Sequence, residues 1–199
     1  MEVSLLHFTP LDIALEAGLI CTNTENKKDR YNPVEFLLKL VSQGHESVIE
    51  HINYNFRISG VSRALLQELA RHRHISLSVQ STRWALNKIT DNERIFSVNE
   101  ESTDADKKRL LENLKKVSDA LNEQIKYAAQ QGIPNDILKY YVQESLSTKL
   151  MLTLNARELR HIFSLRTSQR ALKEFQLLCR ELYNQLPDDH KQLYKEFFT

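Results

Sequence analysis

Two basic stretches have the composition of a phosphate-binding site. Arg71-His72-Arg73 places three potential cations within one turn, and Ser81-Thr82-Arg83 adds two hydroxyl groups and another guanidinium within ten residues. Guanidinium groups donate paired hydrogen bonds to phosphate oxygens, and hydroxyl groups add single ones. This spacing therefore predicts a nucleotide phosphate site. Taken alone, the triplet also fits the solvated basic end of a helix, which the helix macrodipole favours.

Two further clusters carry polar groups at helical or loop spacing. Between Asn155 and Arg166, Arg157 and His161 stand four residues apart and so share one helix face. The same segment also reads as an amphipathic helix whose apolar residues enter the core. In the other cluster, 44–51, two histidines enclose two glutamates, but their spacing is not a standard zinc signature.

The apolar pattern predicts the elements that must position these clusters. We expect strands at 3–8, 51–58 and 149–154, and helices at 11–20, 33–41, 62–73, 104–131 and 155–165, with a short helix from Asn135 and two more at the end. Ser62 is the expected N-cap of the third helix, which Arg71-His72-Arg73 would close, and Ser59-Gly60 would end the second strand. The predicted fold class is α/β (α+β-like), a mixed sheet covered by several helices.

Composition limits the classes of function. The 199 residues include 27 Lys and Arg against 26 Asp and Glu, a net charge of +1, so no global field attracts DNA or an anionic membrane. We expect one domain over residues 1–199, no membrane segment and a cytoplasmic location. Cys21 and Cys179 belong to no Cys-x-x-Cys pair, which argues against a disulfide framework or a thiolate metal site.

The arginine-rich motif is similar to that of a known enzyme family. Arg71-His72-Arg73, then seven residues, then Ser81 resembles the signature of flavin-dependent thymidylate synthases. The clusters at 45–51 and 155–166 also fall where that family would place them. The resemblance thus extends from about Gly44 to Glu174.

The resemblance implies an activity, cofactors and an assembly. Family members transfer the methylene group of 5,10-methylenetetrahydrofolate to C5 of dUMP and take the hydride from reduced FAD, which NADPH regenerates. They use no cysteine nucleophile, so Cys21 and Cys179 need no catalytic setting. They are homotetramers whose flavin and nucleotide sites are built across subunit interfaces. Neither nucleic acid nor a membrane is an expected partner.

The resemblance also assigns roles to individual residues. It implies flavin contacts by Ser47, Glu50, Arg71, His72, Arg73, Val79, Asn155, Arg157 and His161, with His72 near the isoalloxazine. It implies dUMP contacts by Glu68, Arg71, Ser81, Thr82, Arg83, Lys139 and Arg166. Arg166 is the expected catalytic residue, because a fixed cation beside the uracil stabilises negative charge at N3 and O2. His45 would position the folate or the flavin.

Four positions depart from the family pattern. Val79 stands where an acidic residue is frequent, Glu68 where Gln is frequent and Trp84 where Tyr is frequent. Lys139 replaces an expected arginine, and Lys provides a point charge where Arg provides a bidentate fork. These departures are also compatible with an alternative, in which the chain is a homologue that binds flavin but has lost the methylation of dUMP.

A nucleic-acid-binding module is an alternative from a different class. The basic residues from Arg71 to Arg83 would then lie on phosphate groups of DNA or RNA. The net charge of +1 disfavours this interpretation. It predicts a colourless protein with salt-sensitive nucleic-acid binding, whereas the enzyme interpretation predicts bound FAD.

Overall fold

A four-stranded sheet organises the chain in the computed structural model, which describes residues 1–86 and 105–198. Its strands are β1 Glu2–Phe8, β2 Asn53–Ser62, β3 Ile75–Val79 and β4 Ser147–Asn155, in the order β1-β2-β4-β3. All three predicted strands are present, and β3 is an additional one. Tyr54, Phe56 and Ile58 of β2 are fully buried, as the alternating pattern of that strand requires.

Hydrogen bonds at the strand ends give the strand directions. The amide of Thr9 donates to Asn53 O (3.0 Å), that of Arg63 to Leu146 O (3.1 Å) and that of Gln80 to Lys149 O (2.9 Å). Each bond joins the end of one strand to the start of its neighbour, so the three pairings are antiparallel. The α/β fold class is confirmed, but the expected mixed strand directions are not found in this sheet.

The described residues also contain nine α-helices and three 3-10 helices. The α-helices are α1 Leu11–Ile20, α2 Pro33–Ser42, α3 Arg63–Leu69, α4 Thr82–Ala85, α5 Ala105–Gln130, α6 Asn135–Leu138, α7 Ala156–Arg166, α8 Lys173–Gln185 and α9 Asp188–Lys191. The 3-10 helices are Glu25–Arg30, Glu46–His51 and Gln192–Phe197. No helix among the described residues is long and apolar enough to cross a membrane.

Side-chain caps explain why two of these helices begin where the sequence predicts. Ser62 Oγ accepts a hydrogen bond from the amide of Leu65 (3.0 Å), and Asn155 Oδ1 accepts one from the amide of Glu158 (2.9 Å). Each bond satisfies an amide that has no partner within its own helix. The predicted starts of α3 and α7 are therefore confirmed.

Two predicted boundaries are wrong. The helix α3 ends at Leu69, so Arg71-His72-Arg73 follows the helix in a turn, with the His72 amide donating to Leu69 O (3.1 Å). This turn accompanies the burial of His72, which is only 6% exposed. The strand β2 also continues past Gly60 to Ser62, because Gly60 adopts a φ of 69°, which glycine tolerates inside an irregular strand.

The chain contacts group into two compact units. The first unit contains Met1–Ile58, Leu69–Ser78 and Leu150–Thr199, and the second contains Ser59–Glu68 and Val79–Lys149. The second unit has a small core of its own, formed by Leu86, Ile125, Leu138 and Leu146. The single domain expected over residues 1–199 stays a prediction.

The long helix α5 of the second unit exposes most of its apolar residues. Leu114 is 66% exposed and Val117 is 67% exposed, whereas Ile125 is buried. The helix that the sequence predicts over 104–131 is confirmed. Exposed apolar residues on one helix are typical of a protein–protein interface.

A buried polar cluster of the first unit joins β2 to the C-terminal segment. The Tyr54 hydroxyl lies 2.9 Å from His190 Nδ1 and 3.0 Å from the Tyr194 hydroxyl. His190 Nε2 is buried and has no hydrogen-bond partner among the described residues. Burial lowers the pKa of His190 below its ordinary value of 6.5, although the charge of Asp189 opposes the shift.

We predict that His190 makes the protein less stable in acid. Its pKa is lowered in the folded state, so below about pH 6.5 the unfolded chain binds the proton more readily. The free energy of unfolding should fall below that pH, with a limiting slope of about 1.4 kcal/mol per pH unit for one proton, and His190 should contribute no slope above it. Urea unfolding between about pH 7.5 and about pH 5.5 measures this slope.

Two variants isolate the contribution of His190. His190→Asn should lose its part of the acid slope, while His7→Asn, which changes an exposed histidine, should retain the wild-type slope. An unchanged slope in His190→Asn would exclude this residue as the source.

Candidate functional site

The helix α7 carries five of the eleven residues that line the candidate site of the first unit. It begins directly after β4, where the Ala156 amide donates to Ile52 O (2.8 Å) and the Asn155 side chain caps the helix. Arg157 and His161 are exposed and line one cavity of about 820 Å³, as their shared helix face predicts. The cavity is lined by Glu46, Glu50, His74, Asn155, Arg157, Glu158, Arg160, His161, Ser164, Glu196 and Phe197.

Arg157 is held by two carboxylates at this cavity. Its Nη1 donates to Glu50 Oε1 (2.6 Å), and its Nε lies 3.7 Å from Glu46 Oε2. The hydrogen bond to Glu50 is the main reason that the pKa of the Arg157 guanidinium is raised further. Because these groups are well exposed, the pair orients Arg157 more than it stabilises the fold.

Arg160 links three segments of the first unit. Its Nε donates to Glu46 Oε1 (3.2 Å), and its terminal nitrogens donate to Glu196 Oε1 and to Leu193 O. Its guanidinium carbon also lies 5.2 Å from the ring centroid of Phe197. Only 12% of the Arg160 side chain is exposed, whereas 60% of the Glu196 side chain is. The contacts of Arg160 hold the C-terminal 3-10 helix beside α7.

His72 is buried between two charged residues of α7. Its Nε2 accepts a hydrogen bond from Arg166 Nε (3.1 Å), and its Nδ1 lies 3.4 Å from Glu158 Oε1. The His72 ring also packs edge-on against His161 at 5.8 Å between centroids. Phe175 of α8 completes this cluster, because its ring lies 5.9 Å from that of His72 and 4.9 Å from the Arg166 guanidinium.

The remaining residues predicted in the first unit surround this cluster or lie in nearby segments. Arg71 and Arg73 flank His72 and are both exposed. His45 and Ser47 are exposed at the start of the 3-10 helix Glu46–His51. Among the described residues, no three His, Cys, Asp or Glu side chains are arranged to hold a metal ion.

The second unit holds the other predicted nucleotide-binding residues. Ser81 and Thr82 lie at the start of α4, and Arg83 Nε pairs with Asp136 Oδ1 of α6 (2.7 Å). Lys139, which directly follows α6, is exposed and places Nζ 5.7 Å from the ring centroid of Tyr140. This unit therefore presents a hydroxyl-rich turn and two exposed cations.

Two predicted residues of these segments are partly covered. Val79 ends β3, and Glu68 lies in the last turn of α3. Both are half-buried.

Comparisons with known proteins identify the family of the chain. The family model described as "Thymidylate synthase complementing protein" matches residues 4–190. The chain belongs to the flavin-dependent thymidylate synthase family. It is 37% identical to the flavin-dependent thymidylate synthase of Helicobacter pylori over 98% of either chain. It is also 37% identical to that of Campylobacter jejuni, over 98% of this chain and 96% of the relative.

A solved structure of the family extends the comparison to the fold. The crystal structure of thymidylate synthase X from Helicobacter pylori with FAD and dUMP matches with a TM-score of 0.88. It is 33% identical, and the match covers 100% of this chain and 99% of that one. The resemblance to this family that the motif predicted is therefore confirmed.

Seven residues that line the cavity were given no role in the sequence analysis: Glu46, His74, Glu158, Arg160, Ser164, Glu196 and Phe197. Helical spacing could have found two of them, because Arg160 and Ser164 share a helix face with Arg157 and His161. No local pattern identifies Glu196 or Phe197, because the tertiary fold brings both to the cavity from the C-terminal 3-10 helix.

We predict that Arg160→Met loosens the C-terminal segment. Met keeps much of the length and the apolar stem of Arg160 but removes its three hydrogen bonds. The free energy of unfolding should fall by roughly 1–3 kcal/mol. Hydrogen exchange measured by mass spectrometry should accelerate in Gln192–Phe197. Arg180→Met, at an exposed position of α8, is the control and should leave that exchange rate unchanged.

Proposed function

We propose that this protein makes dTMP by reductive methylation of dUMP, with 5,10-methylenetetrahydrofolate as the carbon donor and FAD, reduced by NADPH, as the hydride donor. The observation that carries the proposal is the cluster of Arg166, His72 and Glu158 beside a cavity lined by Arg157 and His161. The full-length match to a structure holding FAD and dUMP supports it.

The cavity and the exposed arginines of the first unit fit a flavin dinucleotide. Arg71, Arg73 and Arg157 offer guanidinium forks for a diphosphate, while Asn155 and His161 offer further polar groups. Glu46 and Glu50 would repel a diphosphate if they were unpaired, but both lie against arginines. Once bound there and reduced by NADPH, FAD would supply the hydride that converts the transferred methylene group into a methyl group.

The second unit fits the phosphate end of dUMP. Ser81, Thr82, Arg83 and Lys139 provide hydroxyl and cationic donors for the 5′-phosphate. Since Arg83 is paired with Asp136, a bound phosphate must compete with that carboxylate. The contribution of Glu68, Arg71 and Arg166 to dUMP binding stays a prediction, as do Val79 and Ser47 as flavin contacts and His45 as a folate or flavin contact.

Arg166 is the residue we assign to the chemical step. A guanidinium beside N3 and O2 of the uracil would stabilise negative charge on these atoms of the activated ring, which makes C5 more nucleophilic towards the incoming carbon. Its side chain is fixed on two sides, by the hydrogen bond to His72 and by the ring of Phe175. A charge held in place before the reaction stabilises that negative charge without reorganisation at the moment of reaction.

The cysteines support a route without a thiolate. Burial raises the pKa of the Cys179 thiol to about 12, so this side chain is neutral and inaccessible at neutral pH. Cys21 is exposed at the end of α1. Neither thiol is among the residues that line the cavity. Replacing both with Ser should therefore leave the formation of dTMP intact.

A homotetramer is part of the proposal. The apolar residues that α5 exposes, including Leu110, Leu114 and Val117, support burial against other copies of the chain. Sites completed by more than one subunit would also explain why binding residues occur in separate clusters of a small chain. The isolated subunit should then be inactive.

Product analysis tests the proposed reaction. The purified protein should convert dUMP to dTMP only when methylenetetrahydrofolate, NADPH and FAD are all present, with dTMP measured by mass spectrometry. A protein that binds FAD but forms no dTMP would be a homologue that has lost methylation. A protein that binds no FAD and instead binds DNA or RNA would contradict the enzyme proposal.

We predict that Arg166→Ala reduces the formation of dTMP while FAD stays bound. Removing one fixed donor to a developing charge typically lowers kcat by about 10²–10³-fold. The kcat and the flavin absorbance of the purified variant measure the two effects. Arg180→Ala, at an exposed position of α8, should retain wild-type kcat. Wild-type turnover in Arg166→Ala would remove this residue from the chemical step.

We predict that Ser81→Ala chiefly weakens dUMP binding. A hydrogen bond to a charged phosphate contributes about 1.5–3 kcal/mol, which corresponds to roughly a 10-fold to 150-fold rise in KM. Turnover at saturating dUMP should remain, as initial-rate measurements over a range of dUMP concentrations would establish. Loss of kcat with unchanged KM would instead assign Ser81 to the chemistry.

A further inference from the structure

Glu158 is the buried carboxylate of the cluster that it forms with His72 and Arg166 beside the cavity. It is 6% exposed and lies in the first turn of α7, where its amide donates to the Asn155 cap. The amino end of a helix favours a negative charge, which offsets part of the cost of burying one. Its side chain lies 3.4 Å from His72 Nδ1, on the opposite side of that ring from Arg166.

The hydrogen bond from Arg166 defines which nitrogen of His72 carries the proton. An arginine Nε–H can only donate, so His72 Nε2, which lies 3.1 Å away, must be the acceptor and bears no hydrogen. The ring is then neutral and its hydrogen is on Nδ1, facing the Glu158 carboxylate. In the other neutral tautomer, and in the doubly protonated ring, the Nε2–H of His72 would point at the Nε–H of Arg166.

We propose that Glu158 is a positioning residue for Arg166 that acts through His72. The carboxylate holds the hydrogen of His72 on Nδ1, Nε2 therefore stays an acceptor, and this acceptor orients the Arg166 guanidinium. Without the carboxylate, the hydrogen of His72 is no longer held on Nδ1 and can move to Nε2, where it opposes Arg166 Nε–H. The effect of Glu158 on catalysis rests on the proposed role of Arg166. The control of the His72 tautomer by Glu158 is independent of that role.

The ring nitrogens of His72 provide a test that is independent of activity. In the FAD-reconstituted wild-type protein, nitrogen NMR of labelled histidine should show His72 with its hydrogen on Nδ1, the signals being assigned by their loss in His72→Gln. Glu158→Gln retains a side-chain oxygen acceptor and should keep this tautomer. Glu158→Ala should shift it toward Nε2. A wild-type His72 with its hydrogen on Nε2 would overturn the proposal, whatever the activity.

Kinetics of the same variants test the consequence for Arg166. Glu158→Ala should lower the kcat for dTMP formation about tenfold or more while FAD absorbance is retained, and Glu158→Gln should restore kcat to within about threefold of wild type. A merely structural role would lower the thermal stability of the alanine variant without moving the tautomer or the kcat of the folded protein.

Other outcomes separate the two proposals. An unchanged tautomer and kcat in Glu158→Ala would contradict the positioning role. If that variant does not fold, Glu158→Asp, whose carboxylate is one methylene shorter, should show a partial loss of kcat, and a wild-type kcat would again contradict it. A wild-type protein that forms no dTMP would refute the proposed function, while the NMR result would still decide whether Glu158 controls His72.

Discussion

The burial of His72 between Glu158 and Arg166 is the contact on which the candidate site depends. It fixes the turn after α3 to the first and last turns of α7, and it encloses the imidazole with Phe175 and His161. A neutral ring can accept the hydrogen bond of Arg166 at Nε2 while it directs an N–H group at the Glu158 carboxylate. The exposed Arg71 and Arg73 owe their positions to this buried residue between them.

Around this contact, opposite charges are matched in pairs. Arg157 lies against Glu50, and Arg160 lies against Glu46 and Glu196. The cations of the cavity are therefore oriented before any ligand arrives, and the carboxylates beside them are neutralised. Such preorganisation lowers the entropic cost of binding a charged cofactor, because the side chains are already ordered. The largely buried Arg160 also connects these charge pairs to the C-terminal segment.

Local signals in the sequence predicted much of the fold. The bounds of α1 match the prediction, and the caps Ser62 and Asn155 identified the starts of α3 and α7, because a capping side chain acts within a few residues. The end of α3 was wrong, since helical spacing continues past Leu69 while the burial of His72 turns the chain. The end of β2 was wrong because Gly60 takes a left-handed conformation without ending the strand.

The site was only partly accessible to sequence reasoning. The motif that starts at Arg71 and the face shared by Arg157 and His161 both follow from spacing along the chain. The partners of these residues do not, because Arg160 and Glu46 are 114 residues apart and Arg166 and His72 are 94 apart. Such pairs arise from the antiparallel sheet that brings α7 beside the segments before β2 and β3, so only the folded chain reveals them.

The most direct measurement of the central claim is an anaerobic visible spectrum of the purified, FAD-reconstituted protein, recorded as NADPH is added with and without dUMP. We expect oxidised flavin bands that bleach on addition of NADPH, and that bleach faster when dUMP is present. A protein that stays colourless after incubation with FAD would contradict a flavin-dependent synthesis of dTMP.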